Sequence, residues 1–303
     1  MNRLVIGSRG SRLALIQTNQ VKDILQKIYP NVDISIEVIR TQGDIQRDKP
    51  LHELGGNTVF AREIEKHLLD KKIDLAVHSL KDLPSTLPDG LLYAGSPKRE
   101  DVRDVFVSSK WDTIDKVPKG GIVATGSIRR KAQLLNFRSD INVVGLRGNI
   151  DTRLRKLEEN NWDGIIIAAA ALHRLELEDR ISQYLDIDTF LPPGGQGALG
   201  LEFSKDNVKL ETMLHDIVHY ETTCCCKAER IYLREIDASC FAPIGCFAYI
   251  DANTIYISAY SSSIDGTKTL YKNISGSIND AEELAIQLAE EMIKNGAKKI
   301  VSM

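Results

Sequence analysis

The sequence predicts an α/β protein of two similar lobes joined by a double crossover, followed by a small α+β domain. Three observations carry this. Two stretches, one opening at Leu4 and one at Ile122, each run as strand, Gly/Ser loop, helix and strand. Two segments, the charged run 96–104 and the Pro/Gly-rich run 191–198, mark the passage into the second stretch and back out of it. The last third alternates apolar and polar residues between short turns, the mark of an antiparallel meander, and closes on one amphipathic helix. The domains that follow are 1–98 plus 198–218, 99–197 and 219–303.

In order, Leu4-Val-Ile6 is an apolar run that stops on Gly7-Ser-Arg-Gly-Ser11. Leu13, Ile16, Gln20, Ile24, Leu25 and Ile28 recur near helical spacing, with Gln20 the polar exception, and Pro30-Asn31 ends the helix. Val32, Ile34, Ile36 and Val38 alternate with polar residues, so the opening forms a βαβ unit. The polar run 41–57 has no period and is long enough to be a functional loop. Phe60, Ile64 and Leu68 mark a second helix. The strand 73–77 then meets His78, Ser79, Lys81 and Asp82 before Pro84. Open α/β sheets bind ligands beyond their strand ends, yet Ser, Lys, Asp and Pro are also ordinary turn residues, and the stretch by itself supports both readings.

The second lobe repeats the grammar: a strand into a Gly/Ser loop over 122–127, a helix over 128–137, and a strand over 141–144. Leu146-Arg-Gly-Asn149 then turns into a helix carrying Arg153 and Arg155, and a buried strand over 164–170 leads to a short helix. Helices follow near 209–218 and up to Glu235, then strands over 247–250, 254–260 and 267–274. Asp280 caps a helix whose Ala281, Leu284, Ala285, Leu288, Ala289, Met292 and Ile293 form one face, closed by Gly296.

Composition excludes several function classes. With 43% apolar and 27% charged residues in 303, the chain is a folded protein and not a disordered one. Its 39 Lys plus Arg against 42 Asp plus Glu give a formal charge of -3, so no global field recruits nucleic acid or a membrane surface, and any basic site is local. The first residues enter a strand without an apolar leader or span, which points to the cytoplasm, and no extra apolar face argues against a monomer. Cys224, Cys225, Cys226, Cys240 and Cys246 are odd in number and form no C-x-x-C pair, so neither a disulfide framework nor a metal site is expected.

Arginines mark the loops of both lobes: Arg9 beside Ser11, Arg129 and Arg130 after Ser127, then Arg147, Arg153, Arg155 and Arg174. Guanidinium groups match carboxylates bidentately and helix amino termini add donors, a combination suited to a polyanion. A helical arginine such as Arg153 or Arg155 is equally the wet face of its helix, whereas Arg9, Arg129, Arg130 and Arg147 sit at strand-to-helix junctions. No phosphate-binding glycine run of nucleotide spacing occurs, so carboxylates fit better than nucleotides. Cys240 lies in a loop, as a small buried hydrophobe or as a nucleophile, and Cys246 at a strand start reads as the buried kind.

His78-Ser-Leu-Lys-Asp82, Gly126-Ser-Ile-Arg-Arg130, Leu146-Arg-Gly-Asn149, Gly194-Gly-Gln-Gly197 and Cys240-Phe-Ala-Pro-Ile-Gly245, in this order, resemble the hydroxymethylbilane synthase (porphobilinogen deaminase) family, over a span from Arg3 to the last helix. The resemblance implies two lobes built like type II periplasmic solute-binding proteins, with a third domain carrying a cofactor cysteine. It implies a transferase of porphyrin and haem synthesis that joins four porphobilinogen units head to tail with loss of ammonia and then releases the linear tetrapyrrole with water. The chain grows on a dipyrromethane primer attached through a thioether to Cys240. Asp82 matches the catalytic carboxylate, which stabilises positive charge on the pyrrole nitrogens and handles protons. Lys81, Ser127, Arg129, Arg130 and Arg147 match cofactor-binding positions; Arg9, Ser11, Arg153 and Arg174 match positions that hold the carboxylates of porphobilinogen and the growing polypyrrole. The sequence departs from the family pattern at Asn57, Thr58, Ala238, Ser239 and Phe241, and Glu53 stands where some relatives carry lysine. The competing reading is a non-catalytic two-lobed carboxylate-binding or sensor protein.

Overall fold

The computed structural model describes residues 1–41, 61–237 and 242–302, so the loop over 42–57, Phe60, and Ala238 to Phe241 with Cys240 lie outside the described residues. The chain runs β1 (Arg3–Arg9), α1 (Arg12–Ile28), β2 (Asp33–Ile39), α2 (Arg62–Leu69), β3 (Leu75–Ser79) and β4 (Leu91–Gly95). It continues through β5 (Asp104–Val107), β6 (Ile122–Thr125), α3 (Ile128–Phe137), β7 (Asn142–Gly145), α4 (Ile150–Glu159), β8 (Gly164–Ala168), α5 (Ala169–Arg174) and β9 (Gln183–Tyr184). β10 (Leu199–Ser204), α6 (Val208–His215), α7 (Tyr220–Glu235), β11 (Ile244–Asp251), β12 (Thr254–Ser262), β13 (Thr269–Ser277), α8 (Ala281–Lys294) and α9 (Ala297–Val301) complete it.

Two units result, 1–100 with 198–226 and 101–197 with 227–303. In the first, the sheet order is β2-β1-β3-β10-β4, with β1 parallel to β2 and β3, and with β10 antiparallel to β3 and β4. In the second, the order β7-β6-β8-β5-β9 repeats the plan: β6 is parallel to β7 and β8, and β5 is antiparallel to β8 and β9. Each sheet is therefore a parallel core completed by the strand that follows a crossing, β5 after the first and β10 after the second. That is the doubly crossed, two-lobed α/β plan predicted, and β11-β12-β13 with α8 add the small antiparallel α+β part.

The parallel strands are covered on both faces, so their cores are double. Leu4, Ile6, Leu75, Val77 and Leu201 pack with Val21 and Leu25 of α1 on one side of the first sheet, and Ile39, Ala76 and Leu91 pack with Ile64 and Leu68 of α2 on the other. The buried face of α1 is Ala14, Gln17, Thr18, Val21 and Leu25, offset from the predicted one; Ile28 is 44% exposed. The offset follows from a polar contact, because Thr18 Oγ1 donates to Ser8 Oγ of β1 at 2.8 Å and turns that side inward.

Three other expectations shift. β3 runs on through His78 and Ser79 because Gly200 and Leu199 of β10 pair with them. β5 is buried along its whole length and its apolar run lacks the alternation that marks a half-exposed strand, whereas β10 is buried almost throughout although Leu199, Leu201 and Phe203 alternate with Gly200, Glu202 and Ser204. Asp280 occupies the N-cap of α8 but makes no side-chain cap bond; the capping hydroxyl is that of Ser277, which accepts from Asn279 N at 3.2 Å at the head of the preceding 3₁₀ turn. Gly296 closes α8 with φ of 90°, as predicted.

Candidate active site

In the first unit, parallel pairing of β1 and β3 brings their carboxyl ends to one sheet edge. Arg9 is the last residue of β1, and Ser11 caps α1, its Oγ accepting from Ala14 N at 3.3 Å. At the end of β3 the chain tightens into a 3₁₀ turn, Leu80–Asp82, in which Lys81 and Asp82 are half-buried. That end is held from several sides: Gln17 Nε2 of α1 donates to Ser79 Oγ at 2.9 Å, Leu80 N donates to Ala198 O at 3.0 Å, and the Leu80 side chain is buried. The polar cluster read from the sequence is thus an anchored strand end with its acid in a defined turn.

In the second unit, β6, β7 and β8 are mutually parallel, and their carboxyl ends share an edge in the same way. Ser127 caps α3 after β6, its Oγ accepting from Arg130 N at 3.4 Å. Arg147 follows β7 and is exposed, and Asn149 caps α4 by accepting from Thr152 N at 2.9 Å. Arg153 Nε donates to Gly148 O at 2.8 Å, and Arg174, at the end of α5 after β8, donates from Nη2 to Gly197 O at 2.7 Å. The β6 and β7 loops touch so closely that a Cβ on Gly126 would lie 2.4 Å from Leu146 O, which leaves room for glycine alone.

Arg129 and Arg130 are 4% and 5% exposed, and both reach Asp104, which is wholly buried at the start of β5. Arg129 Nη2 donates to one carboxylate oxygen and Arg130 Nη2 to the other, each at 2.7 Å, while Gln196 Nε2 of the crossing adds a bond to Asp104 Oδ1 at 2.8 Å. Arg129 also donates from Nη1 to Gln133 Oε1 and Leu191 O. Burial alone would raise the Asp104 pKa, but the two guanidiniums outweigh it and hold the carboxyl well below the usual carboxylate range. Burial lowers the pKa of Arg129, with Asp104 opposing it. Two guanidiniums against one carboxylate leave one uncompensated positive charge, and the buried Nε of Arg130 has no partner among the described residues. A buried cluster of that kind suits a carboxylate-bearing group.

Sequence reasoning singled out the arginines but missed their counter-ion. Asp104 is one of five charges within 99–104, and nothing local separates it from its neighbours. It also missed Glu229 of α7, whose two carboxyl oxygens accept from Gly195 N at 2.6 Å and Ala248 N at 2.9 Å. Glu229 thereby ties the Gly194–Gly197 stretch to β11, where Cys246 is fully buried and donates from its backbone N to Pro192 O at 2.9 Å. In the first unit the overlooked groups are Glu202 of β10 and Glu65 of α2, which are buried beside His78. All are buried acids, a class whose meaning lies in its partners.

Known proteins resemble this chain closely. A family model described as "Porphobilinogen deaminase, dipyromethane cofactor binding domain" matches residues 4–212, and one described as "Porphobilinogen deaminase, C-terminal domain" matches 223–294. A porphobilinogen deaminase of Francisella philomiragia is 43% identical over 301 residues, covering 99% of each chain. Another, of Alkaliphilus metalliredigens, is 40% identical over 301 residues, covering 99% of this chain and 95% of its own. Among solved structures, a nutrient binding protein from Burkholderia cenocepacia bound to methionine has a TM-score of 0.43 and 10% identity, covering 70% of this chain and 90% of that one.

Proposed function

This chain belongs to the porphobilinogen deaminase family, and from that premise we propose that Asp82 is its catalytic carboxylate, working on a primer held by Cys240. The protein is a transferase of porphyrin synthesis with a dipyrromethane cofactor; it condenses porphobilinogen units stepwise with release of ammonia and yields a linear tetrapyrrole. The observation that carries the residue assignment is the anchored turn at the end of β3, which sets Lys81 and Asp82 on the same sheet edge as Arg9.

When bound, the dipyrromethane supplies the pyrrole terminus on which the chain is extended, and its acidic side chains supply the negative charge for the arginines to hold. Cys240, in a third domain spanning 219–303, is the attachment point in this reading and lies outside the described residues. Arg130, with Arg129 on the same Asp104, offers a buried positive charge that this carboxylate does not fully compensate; Ser127, Arg147 and Lys81 complete the cofactor's partners. Arg9, Ser11, Arg153 and Arg174 take the carboxylates of porphobilinogen and the growing chain. Asp82 is an acceptor for the pyrrole N–H and for the proton that the new bond displaces, and an ionised carboxylate next to developing positive charge lowers the barrier electrostatically.

No helix among the described residues is long and apolar enough to cross a membrane. With a net charge of -3 and no sign of a nucleic-acid field, we place the protein in the cytoplasm as a monomer that acts on a small molecule.

Intact-protein mass spectrometry tests the whole reading. A dipyrrole adduct mapping to Cys240 is expected; the bare polypeptide mass, unchanged after incubation with porphobilinogen, would leave a carboxylate-binding protein without chemistry. Arg147 separates ligand binding from stability. Because it is exposed, Arg147→Leu is expected to change unfolding free energy by less than about 0.5 kcal/mol while slowing primer loading or chain growth about tenfold, followed by mass and by porphobilinogen consumption. Unchanged loading and elongation would return Arg147 to an ordinary surface arginine.

A further inference from the structure

Under helix α2, three elements of the first unit bring together a histidine and two carboxyl groups that the chemistry above does not use. His78 and Glu202 lie on one face of the sheet, since Glu202 pairs with Ala76 in the register of β10 and β3 and residues two apart in a strand share a face. Helix α2 covers that face with Ile64 and Leu68, and Glu65 sits between them in sequence. His78 Nε2 and Glu202 Oε2 are 2.9 Å apart. Burial is nearly complete: 7% exposure for His78, 7% for Glu65 and none for Glu202. One oxygen of each acid, Glu65 Oε1 and Glu202 Oε1, is buried without a hydrogen-bond partner among the described residues.

Two neighbouring buried carboxyls do not both ionise without a large cost, and an orphaned buried acceptor costs further. A single proton removes both costs, because a carboxylic acid O–H donates to a carboxylate oxygen and satisfies two orphans at once. We propose that Glu65 and Glu202 share one buried proton as an acid–carboxylate pair, and that this pair, through the His78–Glu202 hydrogen bond, positions the end of β3 that leads into Lys81 and Asp82. Both acids are then positioning residues, and the second half of the proposal rests on the Asp82 reading.

Electrostatics agree with this arrangement. The Glu65 pKa is raised to about 7, first by burial and then by Glu202 of β10, while His78 of β3 and Arg62 of its own helix pull the other way. Between its ordinary 4.5 and about 7, the folded protein keeps a proton that the unfolded chain releases, so this contribution to stability is full at low pH and lost as pH rises through that window. Above it the proton goes to solvent and leaves two negative charges facing one another.

The experiment uses primer-loaded protein and three variants: Glu65→Gln, Glu202→Gln and Glu65→Leu. Denaturant unfolding between about pH 5 and about pH 8 is expected to show a rise of roughly tenfold or more in the wild-type unfolding constant that is absent from Glu65→Gln and smaller in Glu202→Gln, where burial alone still favours the protonated Glu65. Glu65→Gln retains kcat within about threefold, since the amide still donates, whereas Glu65→Leu loses at least about tenfold in kcat with KM held within about threefold. Amide variants that show the wild-type pH dependence of unfolding overturn the shared proton, and that readout does not depend on catalysis. A Glu65→Leu protein with wild-type kcat, or a Glu65→Gln protein as impaired as Glu65→Leu, overturns the positioning role. Normal turnover in Asp82→Asn marks failure of the Asp82 reading instead, and leaves the unfolding result to stand alone.

Discussion

Asp82→Asn, in protein shown by mass to carry its primer, is expected to lower kcat for porphobilinogen consumption by about 10²–10⁴-fold and to move KM by no more than about threefold. The substitution keeps the shape of the side chain and one of its acceptor oxygens but removes the negative charge and the capacity to take a proton. The 3₁₀ turn at Leu80–Asp82 is held by Leu80 burial and by the Ser79 contact with Gln17, neither of which involves the Asp82 carboxyl. The variant therefore folds, and what it loses belongs to the bond-forming step. A near-normal kcat in a primer-loaded Asp82→Asn protein would take Asp82 out of the reaction.

Asp104→Asn is expected to destabilise the protein by about 3–5 kcal/mol in denaturant unfolding, because it leaves two guanidiniums buried against each other with no counter-ion. Asp104 is fully buried, so little solvent screening softens the loss. The same variant is expected to abolish or greatly slow primer loading, since Arg129 and Arg130 owe their fork geometry to the two oxygens of one carboxylate. Asp104→Glu, which restores the charge at a longer reach, is expected to recover stability in part. Because the Asp104 pKa is depressed, its contribution is present above the ordinary 3.8 and is lost only as pH falls below the usual carboxylate range; wild type and Asp104→Asn are therefore expected to converge in stability in strong acid. An Asp104→Asn protein as stable as wild type near neutral pH would show that the arginines find other partners.

Much of the fold was legible because its signals are local. Helices α3 and α4 and strands β6, β7 and β8 lie where periodicity and the Gly/Ser and Gly-Asn turns put them; the capping roles of Ser11, Ser127 and Asn149, each accepting from the amide three residues on, came only with the structure. Strands β4, β5, β9 and β10 escaped. β9 is two residues long, β5 is a short buried run without alternation, β10 follows directly on the Pro/Gly-rich run 191–198, and β4 follows two prolines that read as loop. The junction arginines were visible as a class, but their electrostatic situations differ in a way no sequence window reports: Arg147 is exposed, while Arg129 and Arg130 are buried on a shared acid.

The amino-acid order alone determined the two strand–loop–helix lobes, the crossings that join them, the meander at the end, and the residue types gathered at strand ends: Asp82 and Lys81 after β3, Ser127 with its arginines after β6, Arg147 after β7. Each of these is written within a few turns of chain, where period, caps and turn residues act. Tertiary structure decided which charges meet. His78 and Glu202 are 124 residues apart and Arg130 and Gln196 are 66, and the energies that fix such pairs, burial of an acid and the need for a counter-charge or a shared proton, exist only once the sheets have closed over them.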